Sequence, residues 1–203
     1  MDIKAFIFDM DGLLFDSERI VQRSWEIAGD ELGIPHMEDV IYHTLGMNRA
    51  GRNEYFRKYI REDFPFEEFG KLTRDNFWKI VDKEGLPLKK GAKELLAYGK
   101  SQGYKMAVAT SSSREYAMGN LIRAGIDSHF DSVVCGDMVK KAKPDPEIYQ
   151  KACESLGIQP EYCMAFEDAP GGILSAHQAG MQVIMVPDLV QPDGELEKIA
   201  FRI

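Results

Sequence analysis

The sequence predicts an α/β protein, a parallel sheet of about five core strands with an all-helical segment inserted after the first strand. Three observations carry that prediction. Short apolar, β-branched runs alternate with helical patterns through the C-terminal part of the chain. The connection between the first two runs is about seventy residues long and holds no strand pattern. The first run, Phe6-Ile7-Phe8, stops on two carboxylates, Asp9 and Asp11, one residue apart and followed at once by Gly12.

The first strand covers residues 5–8. In an open parallel sheet ligands bind outside the carboxyl ends of the strands, so Asp9 and Asp11 project from one short loop into that crevice. Such a pair suits the holding of a metal ion and the supply of both a nucleophile and an acid. The insertion reads as amphipathic helices over residues 18–32, 37–44, 49–60 and 66–83. Gly33-Ile34-Pro35, Leu45-Gly46-Met47-Asn48 and Asp63-Phe64-Pro65 break them apart. The division expected is a core of residues 1–15 and 87–203 and a helical cap of residues 16–86, hinged near residues 15–17 and 85–87. Four more strands follow, over residues 105–109, 132–134, 163–166 and 182–186, with helical patterns between them. Ser112-Ser113-Arg114-Glu115 reads as a capping box with Ser112 as the cap, and Asp145 as an N-cap before Pro146. Gly157 and Gly180 stand where helices need a C-terminal cap. Leu196, Ile199, Ala200 and Ile203 recur at helical spacing, so the chain is expected to finish in a helix on the sheet. The whole pattern is Rossmann-like.

Composition narrows the partners. The chain has 203 residues, 44% of them hydrophobic and 29% charged, ordinary for a soluble globular protein. A formal net charge of −8 argues against a nucleic-acid surface. No apolar run approaches the roughly 18 residues of a membrane span, and the N-terminus lacks a signal-peptide pattern. Neither a nucleic acid nor a membrane is an expected partner, a monomer is the default, and a reducing cytoplasm fits best. Cys135, Cys153 and Cys163 are too few and too irregular for a disulfide framework or a zinc site. Cys135 and Cys163 sit in apolar strand patterns and read as buried thiols.

Four strand ends carry the polar residues: Asp9-Met10-Asp11-Gly12, Ala109-Thr110-Ser111-Ser112, Cys135-Gly136-Asp137 leading to Lys143-Pro144, and Phe166-Glu167-Asp168. In a parallel sheet all four reach one edge. A phosphate monoester brings about two negative charges, which Asp9, Glu167 and Asp168 cannot face without compensation. A divalent cation and the Lys143 ammonium supply it. Hard oxygen ligands with no His or Cys nearby favour Mg²⁺ over Zn²⁺. The Thr110 hydroxyl can donate to a phosphoryl oxygen. A calcium loop is the blander reading of Asp9 and Asp11. It fails, because Leu13 and Leu14 stand where that loop needs an oxygen ligand and a glycine. Ser112 reads mainly as a helix cap. Trp25, Trp78 and the phenylalanines of the insertion read as its core. His36, His43, His129 and His177 are scattered without ligand spacing, and the basic run Arg49, Arg52, Arg57, Lys58, Arg61 reads mostly as a solvated helix face.

The set Asp-x-Asp-Gly, Thr, Lys-Pro and Glu-Asp, in this order and with an early helical insert, resembles the haloacid dehalogenase-like superfamily across the full chain. More narrowly it is similar to the small phosphatases and β-phosphoglucomutases that carry a helical cap after the first strand. The resemblance implies Asp9 as the nucleophile that forms an aspartyl-phosphate, and Asp11 as general acid and then base. It implies Mg²⁺ on Asp9, the Asp11 carbonyl and Asp168, with Glu167 as a further ligand or as a partner of the ligands. Thr110, Ser111 and Lys143 would grip the phosphoryl group, and Arg49 matches a cap arginine that contacts a distal phosphate. Asp11 separates the chain from the dehalogenases, which lack a second aspartate there. Val21 stands where β-phosphoglucomutases have a histidine, which favours a hydrolase. The expected activity is a Mg²⁺-dependent phosphatase acting on a small phosphorylated metabolite, a sugar phosphate first. The alternatives are a β-phosphoglucomutase-like phosphotransferase and, more distantly, a non-catalytic metal- or partner-binding protein of the same fold.

Overall fold

The computed structural model describes residues 2–44, 49–191, 194 and 196–202, without the side chains of Arg49, Ala50, Phe201 and Arg202. The chain divides into two compact units, Met1–Asp16 with Pro87–Ile203, and Ser17–Leu86. The second unit holds α1 (Ser17–Glu31), α2 (Met37–Thr44), α3 (Arg49–Tyr59) and α4 (Phe66–Glu84). Their apolar faces close on Trp25, Ala28, Ile34, Met37, Val40, Ile41, Phe56, Phe64 and Phe69. Trp25 meets Phe56 and Phe69 edge-on, with ring centres 5.7 and 5.5 Å apart. Arg23 on α1 grips Glu84 at the end of α4 through two hydrogen bonds, 2.7 and 3.1 Å. Trp78 departs from expectation and is 44% exposed. It follows the buried Asn76 by two residues, about 200° around the helix, and so faces away from the core.

The first unit is built on β1 (Ala5–Phe8), β2 (Lys105–Ala109), β3 (Ser132–Val134), β4 (Cys163–Glu167), β5 (Gln182–Met185) and β6 (Phe201–Arg202). All pairings are parallel and the order is β3-β2-β1-β4-β5-β6, which puts β1 inside the sheet. The period of two sorts side chains onto two unlike faces. Ile7 lies level with Ala107 and Ala165, and these share one buried cluster with Ala5, Ala109 and Cys163. Phe8 lies level with Val108 and Phe166 and stacks on Phe166 at 4.9 Å. Phe6 on the same face stacks on Tyr104 at 4.2 Å.

Among the described residues, the α-helices of this unit are α5 (Ala92–Ser101), α6 (Arg114–Ala124), α7 (Glu147–Leu156), α8 (Pro170–Gln178) and α9 (Leu196–Ile199). Gly99 of α5 lies against Met106 and Phe6 on the aromatic face. Ile148, Tyr149, Ala152 and Cys153 of α7 and Ile173 and Ala176 of α8 bury themselves on the small-residue face. All three cysteines are free and buried. No described helix is long and apolar enough to cross a membrane.

Three local expectations need correction. The chain does not finish in a helix, because α9 lasts one turn and β6 then pairs with β5, Ile184 with Phe201 and Met185 with Arg202. The edge of β5 offers unpaired backbone groups, and two residues of strand satisfy some of them. Leu196, Ile199 and Ala200 still pack on the sheet, whereas Ile203 lies outside the described residues. Ser113, not Ser112, caps α6, its hydroxyl accepting from Tyr116 N–H at 3.4 Å. Asp145 accepts from Glu147 N–H at 3.1 Å, while Pro146 takes the cap position itself.

Candidate active site

Asp9 continues the ladder of β1 by one residue, its N–H donating to Phe166 O at 3.0 Å, and so stands at the carboxyl edge of the sheet. The chain then turns tightly. Met10 O accepts from both Leu14 and Phe15, and Gly12 N–H donates to Phe15 O at 2.9 Å. Gly12 has φ +86°, and a Cβ there would collide with the Asp168 carboxylate. Only glycine lets the loop and the end of β4 approach so closely. Thr110 follows β2 and is buried, its hydroxyl accepting from Ser112 N–H at 3.1 Å. That local bond stabilises the turn and leaves the hydroxyl hydrogen to donate. Ser111 is exposed, its carbonyl lying against Gly136.

Lys143 comes in from the loop after β3. Its ammonium lies 2.6 Å from Asp9 Oδ1, 2.6 Å from Glu167 Oε1 and 3.0 Å from Ala109 O. Tyr149, from α7, donates its hydroxyl to Glu167 Oε1 at 2.7 Å. The other oxygen of Glu167 accepts from Asp168 and Ala169 N–H at 3.2 and 3.4 Å. Glu167 is thus 1% exposed and hydrogen-bonded through both oxygens. Burial pushes the Asp9 carboxyl up from an ordinary 3.8 to about 7, against the pull of Lys143 and with a further push from Glu167. Burial alone depresses the Lys143 ammonium, but Asp9 and Glu167 outweigh it and hold its pKa above the usual lysine value. Burial and the two carboxylates push the Tyr149 phenol far up, so it remains a donor.

Asp9, Glu167 and Asp168 each offer an oxygen, and these lie within 4.8 Å of one another. An all-carboxylate set fits a hard divalent cation. The Asp11 carboxylate is not part of that group. It turns to α6, where Ser112 Oγ donates to one oxygen at 2.8 Å and the Tyr116 hydroxyl to the other at 2.9 Å. As a side-chain ligand Asp11 is therefore disfavoured, which leaves its backbone carbonyl. In the helical unit the structure brings His36 together with Glu38 and Asp39 at an exposed helix start, a grouping the histidine spacing had not suggested. Arg49 opens α3, and its side chain lies outside the described residues.

The structure thus brings Asp9, Thr110, Lys143, Glu167 and Asp168 to one edge, with Asp11 beside them on the same loop. Sequence reasoning missed Tyr116 and Tyr149. Both are helical residues whose reach to a strand end depends on how a helix lies on the sheet. A weak signal existed in their positions, one in the first turn after the second strand and the other six residues after Lys143.

Residues 6–186 match the family model of the haloacid dehalogenase-like hydrolases. A phosphorylated carbohydrates phosphatase of Thermotoga maritima is 34% identical over 182 residues, covering 90% of this chain and 84% of that protein. Hexitol phosphatase A of Escherichia coli is 32% identical over 186 residues, covering 92% and 84%. The crystal structure of a HAD family hydrolase from Deinococcus radiodurans with bound phosphate and sodium superposes with a TM-score of 0.83 at 27% identity, covering 99% of this chain and 90% of that one. A matched span that runs from the first strand past the last of the core strands, around an edge of carboxylates and one buried lysine, makes this chain a member of the haloacid dehalogenase-like hydrolases.

Proposed function

We propose that the protein is a Mg²⁺-dependent phosphatase that hydrolyses a small phosphorylated metabolite, a sugar phosphate first, through an aspartyl-phosphate. The observation that carries this reading is the ammonium of Lys143, buried between Asp9 and Glu167 at the strand ends. A binding module has no need of a buried cation against a carboxylate that is free to act as a nucleophile. The relatives named above as phosphatases of phosphorylated carbohydrates and hexitols support the substrate class.

In this reading a carboxylate oxygen of Asp9 attacks phosphorus, and the bond from phosphorus to the ester oxygen breaks. Asp11 gives the departing oxygen its proton. Water then attacks the aspartyl-phosphate, Asp11 takes the proton from that water, and inorganic phosphate leaves with Asp9 restored. Lys143 and the Thr110 hydroxyl neutralise and orient the phosphoryl oxygens, with Ser111 beside them. Asp9, Asp168 and the Asp11 carbonyl would hold Mg²⁺, with Glu167 as a further ligand or as a partner of the ligands, and the ion would supply charge compensation there. Residues 16–86 act as the cap that sets specificity, Arg49 among them. Val21 packs against the apolar core of the helical unit and has no proton to relay, which favours hydrolysis over transfer to a second sugar hydroxyl.

The test is inorganic phosphate release from a panel of hexitol, hexose and glycerol phosphates, with Mg²⁺ and with chelator, for the protein and for Asp9→Asn. Mg²⁺-dependent release that disappears in the variant is the expected result. Consumption of β-glucose 1-phosphate with a bisphosphate activator, without phosphate release, replaces the phosphatase by the mutase.

A further inference from the structure

The Asp11 side chain is the one acidic group of the strand-end loop that turns away from the buried cation. We infer that Tyr116 is a positioning residue that keeps it there. The inference rests on the reading of Asp11 as the acid and base of the reaction. A carboxylate on the same loop as Asp9 feels the attraction of the buried Lys143 ammonium, and only its own hydrogen bonds fix where it points. Two hydroxyls hold it elsewhere, Ser112 Oγ at 2.8 Å and Tyr116 Oη at 2.9 Å, one to each oxygen.

The phenol is itself well anchored. Tyr116 is the third residue of α6, and its backbone N–H caps onto Ser113. Arg114 N–H at the same helix start donates to Asp137 Oδ2 at 3.0 Å, and Gly136 N–H donates to Ser112 O at 2.8 Å. One turn on, the amide of the buried Asn120 donates to Tyr116 O at 3.0 Å. The first turn of α6 is thus tied to the loop after β3 and presents both hydroxyls to Asp11 from a fixed base.

Hydroxyls suit this work better than a cation would. A hydroxyl donates to a carboxylate and accepts from a carboxylic acid. Ser112 and Tyr116, one on each oxygen, therefore fix the plane of the Asp11 carboxyl without adding a charge beside it.

The experiment compares Tyr116→Phe, Ser112→Ala and Asp11→Asn on two esters, glucose 6-phosphate, whose leaving alkoxide needs a proton, and 4-nitrophenyl phosphate, whose leaving group does not. Tyr116→Phe should lose about tenfold in kcat on glucose 6-phosphate, with KM within about twofold, and less than about twofold on 4-nitrophenyl phosphate. Ser112→Ala should show the same asymmetry, and this second variant decides the matter if the first folds poorly. Equal losses on both esters, or no loss on either, overturn the positioning role. If Asp11→Asn itself loses equally on both esters, the acid assignment falls and the inference with it.

Discussion

Lys143 and Asp9 are 134 residues apart in sequence and 2.6 Å apart in space, with the lysine 9% exposed. Removing one side of a buried, hydrogen-bonded charge pair leaves the other charge uncompensated, which costs about 3–5 kcal/mol. Lys143→Ala should lose that much unfolding free energy in urea at pH 7.5 with chelator present. The deficit should narrow toward pH 5.5, where Asp9 holds a proton and no longer needs the ammonium. A loss under about 1 kcal/mol at pH 7.5 would mean that the pair does not hold the strand ends together.

Asp9 gives the metal-free protein an unusual pH dependence. Its folded pKa of about 7 lies above the ordinary 3.8, so between those values the folded state keeps a proton that the unfolded chain releases. That contribution to stability is complete below about 3.8 and is lost as the pH rises through 7. Lys143 is charged in both states across this window and adds no slope. A cation must displace the same proton, so Mg²⁺ affinity should fall about tenfold per pH unit below 7. Melting curves with Mg²⁺ and with chelator at pH 5.5 and pH 8 test both statements. The Mg²⁺-induced rise in Tm should be larger at pH 8, and an equal rise at both would refute the Asp9 shift.

Gly12→Ala should damage the site from the backbone. The new methyl meets the Asp168 carboxylate in a left-handed loop position, φ +86°. Strain of this kind costs about 1–3 kcal/mol, and the Asp168 carboxylate or the loop must shift. The readout is Mg²⁺ binding by calorimetry, expected to weaken by at least about tenfold. Unchanged binding would remove Asp168 from the ligand set.

The two adjacent serines should separate cleanly. Ser113 caps α6 through a long 3.4 Å bond, so Ser113→Ala should cost about 0.5–1 kcal/mol and leave kcat unchanged. Ser112→Ala should do the reverse. If Ser113→Ala loses activity in step with Ser112→Ala, the two serines are one structural unit rather than two functions.

Tyr149→Phe removes the phenol that donates to Glu167 Oε1 at 2.7 Å. A hydrogen bond to a charged group is worth about 1.5–3 kcal/mol, and Glu167 retains Lys143 on the same oxygen. Urea unfolding should show a loss in that range. No loss would place the tyrosine as filler.

The strands and the strand-end carboxylates were legible because both are local. Short apolar, β-branched runs end where Asp9, Thr110 and Glu167 begin, and a parallel sheet aligns those ends without further information. The helix boundaries were legible for a similar reason, since glycine and proline punctuate them. What could not be read was reach. Tyr116 and Tyr149 act from helices, and whether a phenol on a helix meets a strand end depends on interhelix and helix–sheet distances that no window of sequence contains. The choice of Ser113 over Ser112 as cap turned on one residue of register. Ser112 was thereby freed to turn to Asp11, a partner 101 residues away. The final β6 was missed because its cause is the exposed edge of β5, not its own two residues.

The alanine floor of the sheet has a consequence for substitutions far from any charge. Ala107, Ala109 and Ala165 are fully buried under α7 and α8. Their smallness sets how near α7 comes, and with it whether the phenol of Tyr149 spans the gap to Glu167. Ala109→Val adds two methyl groups to this floor and acts as a shim. The helix should rise and lift the phenol off the carboxylate, so that a wholly apolar change would be felt as an electrostatic one.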